Sequence, residues 1–161
     1  MEKNTVKIKP ASYDDDFVHG LTKGEYRLAI KAPTTQLNAV SYTSSSKSKK
    51  VAYKKSKAKK IKLDGQTSNI YTTGEKTSRW YKISITSTKK KRILNLGKNT
   101  VSGGYKFTIY KNGKKKAIKT IKVTENANAK IAKMPKKKGT YYIRISKLTK
   151  KTNGTYEIGY Y

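Results

Sequence analysis

The stretch GTYYIRIS at residues 139–146 decides the fold of this chain. Every second residue in it is aromatic or aliphatic, which is the period of a β-strand with one buried face. The stretch TYEIGY at residues 155–160 repeats that alternation, and Asn153-Gly154 supplies a turn signal just before it. We predict that the two runs pair as a closing hairpin across Asn153-Gly154.

Similar short runs occur through the preceding eighty residues. We predict strands at 61–63, at 80–86, at 93–96 with an end at Gly97, at 105–109 and at 117–123, with 127–132 left open between strand and loop. Asp64-Gly65 and Asn112-Gly113 predict turns, the second being the strongest hairpin signal. Tyr26, Tyr105, Tyr141 and Tyr156 share the phase of the aliphatic residues, which favours core positions. Frequent turns between short strands indicate an all-β, antiparallel, jelly-roll-like β-sandwich.

The start of the chain resembles its end. With an offset of 115 residues, KGEYRLAI at 23–30 falls on KGTYYIRI at 138–145, and TVKI at 5–8 falls on TIKV at 120–123. Matched glycine, tyrosine and aliphatic positions favour a shared unit over chance composition. We therefore predict a partial repeat at 1–45, a Lys/Ser-rich linker at 46–60 and a complete β-sandwich at 61–161.

The charge of the chain is strongly positive. Its 39 Lys and Arg against 9 acidic residues give a net charge of +30. Such a field attracts polyanions, but lysines also keep β-proteins soluble and their edges unpaired, and both interpretations stay open. If a polyanion binds, we expect the densest lysine runs to hold it. These are Lys54, Lys55, Lys57, Lys59, Lys60, Lys89, Lys90, Lys91, Lys114, Lys115, Lys116, Lys136, Lys137 and Lys138.

Only four of the cations are arginines: Arg27, Arg79, Arg92 and Arg144. Base-specific readout favours the planar fork of arginine, so the composition argues against a protein that reads nucleic-acid sequence. We expect an anionic cell-wall or extracellular polymer as the partner. No run of 18 apolar residues occurs, so we expect no transmembrane segment. The oligomeric state stays open.

Residues 61–161 resemble the bacterial pre-peptidase C-terminal domains. The resemblance rests on the closing GTYYIRI at 139–145 and GTYEI at 154–158, and on the aromatic run WYKISI at 80–85. It implies a jelly-roll-like β-sandwich on an exported protein, and some relatives bind a matrix polymer and calcium. Arg79 occupies the place where the family has an aspartate. The chain therefore departs from the family's calcium pattern.

No catalytic motif is present. His19 is the single histidine, no Gly-x-Ser-x-Gly elbow accompanies it, and no spacing fits a zinc site. Asp14, Asp15 and Asp16 form the one acidic cluster; we expect no cofactor and keep calcium there as a weak alternative. Trp80, Tyr142 and Tyr161 fall on the phase opposite to the core and predict an exposed aromatic patch.

Two functions fit these features. The first is a non-catalytic extracellular or cell-surface binding module, whose signal peptide would lie outside this chain. The second is a structural spacer in a tandem array of an exported protein, in which the lysines serve only solubility.

Overall fold

The computed structural model describes residues 51–71, 74–124 and 126–161, with the backbone alone at 101–102. A 3₁₀ turn at Lys55–Lys57 precedes nine strands in this part of the chain. The strands are β1 (Lys59–Lys60), β2 (Gly65–Tyr71), β3 (Arg79–Ile85), β4 (Ile93–Ser102), β5 (Tyr105–Lys111), β6 (Ala117–Val123), β7 (Ala129–Lys133), β8 (Gly139–Lys147) and β9 (Asn153–Tyr160).

The strands form two packed sheets. One sheet has five strands in the order β1-β3-β8-β5-β6, and the other has four in the order β2-β9-β4-β7. Neighbouring strands are antiparallel except β1, which runs parallel to β3. The crossing of the chain between the sheets gives the jelly-roll-like β-sandwich that the alternation predicted, and this prediction is confirmed.

Alternate residues of the central strands fill one shared core. In β3 the buried apolar residues are Tyr81, Ile83 and Ile85, and β8 buries Tyr141, Ile143 and Ile145 in the same way. Tyr105 and Tyr156 are also fully buried, as their phase predicted. Burial of such side chains is the main favourable term in folding.

Buried tyrosine hydroxyls tie one sheet to the other. Tyr105 of β5 donates to the Gly154 carbonyl at 2.7 Å, and Tyr160 of β9 donates to the Ser84 carbonyl at 3.0 Å. Each bond starts in one sheet and ends on the backbone of the other. A hydroxyl buried without a partner would cost stability, so these bonds allow a tyrosine-rich core.

The predicted closing hairpin is wrong. Strand β8 pairs with β3 and β5, whereas β9 pairs with β2 and β4 in the other sheet. Residues 148–152 therefore cross between the layers, and the apolar faces of β8 and β9 meet across the core. Asn153-Gly154 opens β9 instead of forming a turn. Gly154 has a φ of +134°, and a Cβ there would collide with the Asn99 carbonyl.

Three strands also differ from the prediction. Gly97 does not end β4, which continues to Ser102 because the glycine sits in register opposite Glu157. Residues 61–63 are not a strand. Strand β2 lies where no strand was predicted, because GQTSNIY is mostly polar and forms a sheet edge. The segment 127–132, which the sequence left undecided between strand and loop, contains most of β7. Both predicted turns contain a residue with positive φ, Asp64 in the first and Gly113 in the second.

Residues 51–60 fall in the stretch predicted as a linker, and the structure gives them a place beside β3. The Trp80 N–H donates to the Ala52 carbonyl at 2.8 Å, and β1 pairs with β3 at Tyr81 and Lys82. Ala52 and Ala58 are buried. This segment covers the free edge of β3, which would otherwise expose unpaired backbone groups.

Candidate polyanion-binding surfaces

Nine lysines share one end of the sandwich. They form three Lys-Lys-Lys triplets, in the loop after β3, the turn after β5 and the loop before β8. The register pairs Ile85 with Gly139 and Lys111 with Tyr141, so all three connections leave the five-stranded sheet at the same end. We call this set the lysine end, and all nine side chains are exposed. It comprises Lys89, Lys90, Lys91, Lys114, Lys115, Lys116, Lys136, Lys137 and Lys138.

Hydrogen bonds hold these connections in place. The Met134 N–H donates to the Arg92 carbonyl at 2.8 Å, which joins the loop after β3 to the loop before β8. The Tyr141 hydroxyl donates to the Lys137 carbonyl at 2.8 Å and anchors the third triplet to β8. A backbone hydrogen bond closes the turn that carries the second triplet. The lysines therefore project from a fixed backbone.

Acidic residues are few around the lysine end. Its three connections contain no Asp or Glu, and the acids that the structure describes are Asp64, Glu75 and Glu157. Asp64 precedes β2 at this end, Glu157 lies on β9 in the four-stranded sheet, and Glu75 is ion-paired with Arg79 at the opposite end, at 2.6 Å. The positive potential of the triplets is therefore little offset nearby.

The outer face of the five-stranded sheet carries a second group of cations. The pairs Trp80–Arg144, Lys82–Tyr142 and Lys106–Lys122 share this face, since paired residues point to the same side of a sheet. We call it the outer face, and none of its described residues is acidic. Its six cations are Lys55, Lys60, Lys82, Lys106, Lys122 and Arg144.

Three half-buried aromatic rings lie among these cations. The rings of Trp80 and Tyr110 are 5.7 Å apart between centroids, and Tyr142 pairs with Tyr110 on the neighbouring strand. The ammonium of Lys55 lies 4.8 Å from the Tyr142 centroid. The guanidinium of Arg144 lies 5.9 Å from Trp80 and 5.8 Å from Tyr110. These distances are those of cation–π contacts, which hold the charges beside the rings.

The structure brings together two of the three residues of the predicted aromatic patch. Trp80 and Tyr142 share the outer face, but Tyr161 lies against Gly159 of the four-stranded sheet. Sequence reasoning missed Tyr110, which completes the set. The signal was its outward phase in β5, one residue after the predicted strand. Among the other predicted lysines, Lys55 and Lys60 join the outer face, while Lys54, Lys57 and Lys59 are exposed beside β3.

Arg79 is a buried cation inside the opposite end of the sandwich. Its side chain is only 4% exposed, and its Nη2 donates to both oxygens of Glu75, at 2.7 and 2.6 Å. The guanidinium stacks 4.0 Å above the Tyr71 ring, and Nη1 donates to the Tyr156 hydroxyl at 3.3 Å. Burial opposes this charge, but the hydrogen bonds to Glu75 and Tyr156 raise the pKa of Arg79 above its ordinary value.

The Arg79 site does not fit calcium. A guanidinium stands where the family pattern has an aspartate, and it already satisfies the nearby carboxylate. Hard cations need several oxygen ligands, and the described residues contain no group of three or more His, Cys, Asp or Glu. Asp14, Asp15 and Asp16 lie outside the described residues, and calcium there stays a prediction.

A surface groove of about 440 Å³ over β2, β9 and β4 shows no pair of catalytic carboxylates. Glu157 is the single carboxylate among its lining residues, which include three asparagines. Proton transfer needs an acid or base beside a reacting group, and hydrolysis commonly uses two. His19 lies outside the described residues. Within the described ranges, no helix has the length and apolar character needed to cross a membrane.

One solved structure matches this architecture well. It is the pre-peptidase C-terminal domain of collagenase from Bacillus anthracis, with a TM-score of 0.55 and 19% sequence identity. The match covers 65% of this chain and 95% of that domain. The chain has a pre-peptidase C-terminal fold. The resemblance noted in the sequence is therefore confirmed at the level of the fold.

A second solved structure is similar over the same share of the chain. It is a periplasmic inhibitor of g-type lysozyme from Aeromonas hydrophila, with a TM-score of 0.43, 11% identity and coverage of 65% of this chain and 98% of that one. No protein-family model matches the sequence, and no curated protein matches it.

Proposed function

We propose that this chain is a non-catalytic module of an exported protein, and that it binds an anionic wall or matrix polymer through the lysine end. The observation that carries the proposal is the placement of three lysine triplets on one end of a pre-peptidase C-terminal fold. Strand order brings them together from positions 89–91, 114–116 and 136–138. Their own connections contain no acid to neutralise them.

The lysine bias supports diffuse recognition of charge. Lysine is a flexible point charge, and exposed ammonium groups suit a polymer whose anions repeat along its length. Binding releases the counterions condensed on such a polymer, so affinity falls as salt rises. The extracellular location rests on the similar domain, which belongs to a collagenase.

A matched pair of triple variants tests the proposal. One variant carries Lys89→Gln, Lys90→Gln and Lys91→Gln at the lysine end. The control carries Lys76→Gln, Lys150→Gln and Lys151→Gln in connections at the opposite end, with the same change in net charge. Binding to fluorescent heparin is measured by anisotropy from about 50 to 500 mM NaCl, the range over which counterion release dominates.

We expect the first variant to lose up to about one unit of salt slope per lysine that contacts the polymer. The control should keep a slope near that of the parent protein. Equal losses in both variants would show that net charge alone matters and would refute a specific lysine end. If the parent protein binds neither heparin nor wall polymer at low salt, the spacer function is favoured instead.

A further inference from the structure

The outer face combines features that a charged surface alone does not need. Trp80, Tyr110 and Tyr142 form a half-buried aromatic platform on the outer face, and the charged groups of Lys55 and Arg144 lie over the rings. Solubility is served by exposed lysines and gains nothing from exposed aromatic rings. Aromatic surface beside charge is instead typical of binding sites.

Arg144 has no acidic partner in the described part of the chain. Its guanidinium lies over the Trp80 and Tyr110 rings, and its Nε and the Ser146 hydroxyl, two residues along the same face, are buried without a hydrogen-bond partner. Polar atoms left in this way are rare in folded proteins and require an explanation. A guanidinium without a protein carboxylate is suited to an external carboxylate or sulfate, and because Nε is buried the two parallel hydrogen bonds would come from the Nη groups.

The distances between ring and cation distinguish between anionic ligands. In an acidic sugar, the carboxylate or sulfate is attached to the ring that stacks, so the cation must stand close to the aromatic surface. Here each cation lies 4.8 to 5.9 Å from a ring centroid. In a nucleotide the stacking base and the phosphate are separated by the ribose, which requires a wider spacing.

We propose that the outer face binds an acidic polysaccharide, whose sugar rings stack on Trp80, Tyr110 and Tyr142 while Lys55 and Arg144 bind its carboxylates or sulfates. Lys82, Lys106 and Lys122 extend the positive surface along the same face. The inference deepens the proposed function, because it rests on polymer binding and names the sugar-stacking site and the ligand class.

The single tryptophan of the chain makes this site directly observable. Trp80 is the one Trp in the sequence, and it lies on the outer face and away from the lysine end. Titration with an oligogalacturonate hexamer should therefore shift or quench Trp80 fluorescence at saturation. A neutral dextran oligomer of the same length should give no change at equal concentration, because it lacks the anionic groups.

Two variants and one control locate the contact. Tyr142→Leu removes a platform ring, and we expect about a five- to tenfold loss of affinity, the order of magnitude of one lost stacking contact. Arg144→Gln should weaken the acidic oligomer to a similar degree. The control Tyr161→Leu removes a 39% exposed tyrosine from the other sheet and should bind as the parent does. The NMR shift of the Trp80 indole in the parent protein gives a readout that requires no variant.

Each outcome decides between the two proposals. Heparin binding with no change at Trp80 for any acidic oligosaccharide would overturn the stacking site and leave the lysine end standing. A Trp80 response to single-stranded oligothymidylate stronger than to oligogalacturonate would overturn the acidic polysaccharide as ligand. Loss of both anisotropy and fluorescence signals would defeat the proposed function itself.

Discussion

Removal of the Glu75 carboxylate should destabilise the sandwich more than any other loss of one acidic side chain among the described residues. Glu75→Ala leaves the guanidinium of Arg79, which is 4% exposed, without the carboxylate that binds both its Nη2 and its Nε. Breaking a buried ion pair from one side costs about 3–5 kcal/mol, because the remaining charge stays desolvated.

The structure places the expected cost at the lower end of that range. The side chain of Glu75 is 19% exposed, so water can reach the space that it leaves. Arg79 also keeps the Tyr71 ring at 4.0 Å and the Tyr156 hydroxyl at 3.3 Å. We therefore expect a loss of about 3 kcal/mol in the free energy of unfolding. For a domain of this size, that corresponds to a Tm lower by about 10–20 °C.

A double variant distinguishes the cost of a buried unpaired charge from the cost of a lost contact. Glu75→Ala combined with Arg79→Met removes both charges and should recover most of the Tm, because apolar replacement of a buried pair is often neutral. Glu157→Ala is the matched control, since it removes a half-buried acid from the outside of the other sheet. Thermal unfolding is followed by circular dichroism. A Tm shift in Glu75→Ala no larger than that of Glu157→Ala would refute the reasoning.

Two further predictions concern the backbone and the tyrosine core. Gly154→Ala should cost at least about 2 kcal/mol by urea unfolding, because it strains a φ of +134° and its Cβ meets the Asn99 carbonyl. The control Gly74→Ala has nothing within 4 Å of the added Cβ, so its urea midpoint should stay close to that of the parent protein. Equal midpoints for the two variants would contradict the strain assigned to Gly154→Ala. Burial raises the pKa of three core tyrosines above the ordinary value of about 10, so stability should be complete below pH 10 and fall as pH rises further, by up to about 1.4 kcal/mol per pH unit for each. Phenolate absorbance that reaches the value for all 13 tyrosines before near-ultraviolet dichroism is lost would count against buried neutral hydroxyls. These tyrosines are Tyr71, Tyr105 and Tyr156.

Alternation along the chain predicted which faces are buried but not which strands are neighbours. The runs at 105–109 and 141–145 bury the residues expected, because a period of two follows directly from strand geometry. A five-residue connection after β8 can either turn back within one sheet or cross to the other. The alternation of β9 is compatible with either arrangement. Which strands β9 pairs with is therefore known only from the structure.

The sequence shows the cations and aromatic residues of the candidate surfaces, but only the strand topology brings them together. The three lysine triplets are up to 49 residues apart along the chain, and only the direction of each strand places them at one end. Tyr161 had the expected outward phase, but alternation does not indicate to which of the two sheets a residue belongs. Tyr110 was missed because the predicted strand ended at residue 109, whereas β5 continues to Lys111.

The distribution of charge supports the proposal that these lysines bind a polyanion. A net charge of magnitude about 2–8 keeps a small domain soluble, and this chain carries +30. Nine like charges on one end repel one another within a Debye length of about 8 Å at physiological salt. Solubility would be served equally well by spreading them over both ends, with less repulsion. A polyanion relieves that repulsion on binding, so concentrated lysines are a cost to the free protein and a gain in the complex.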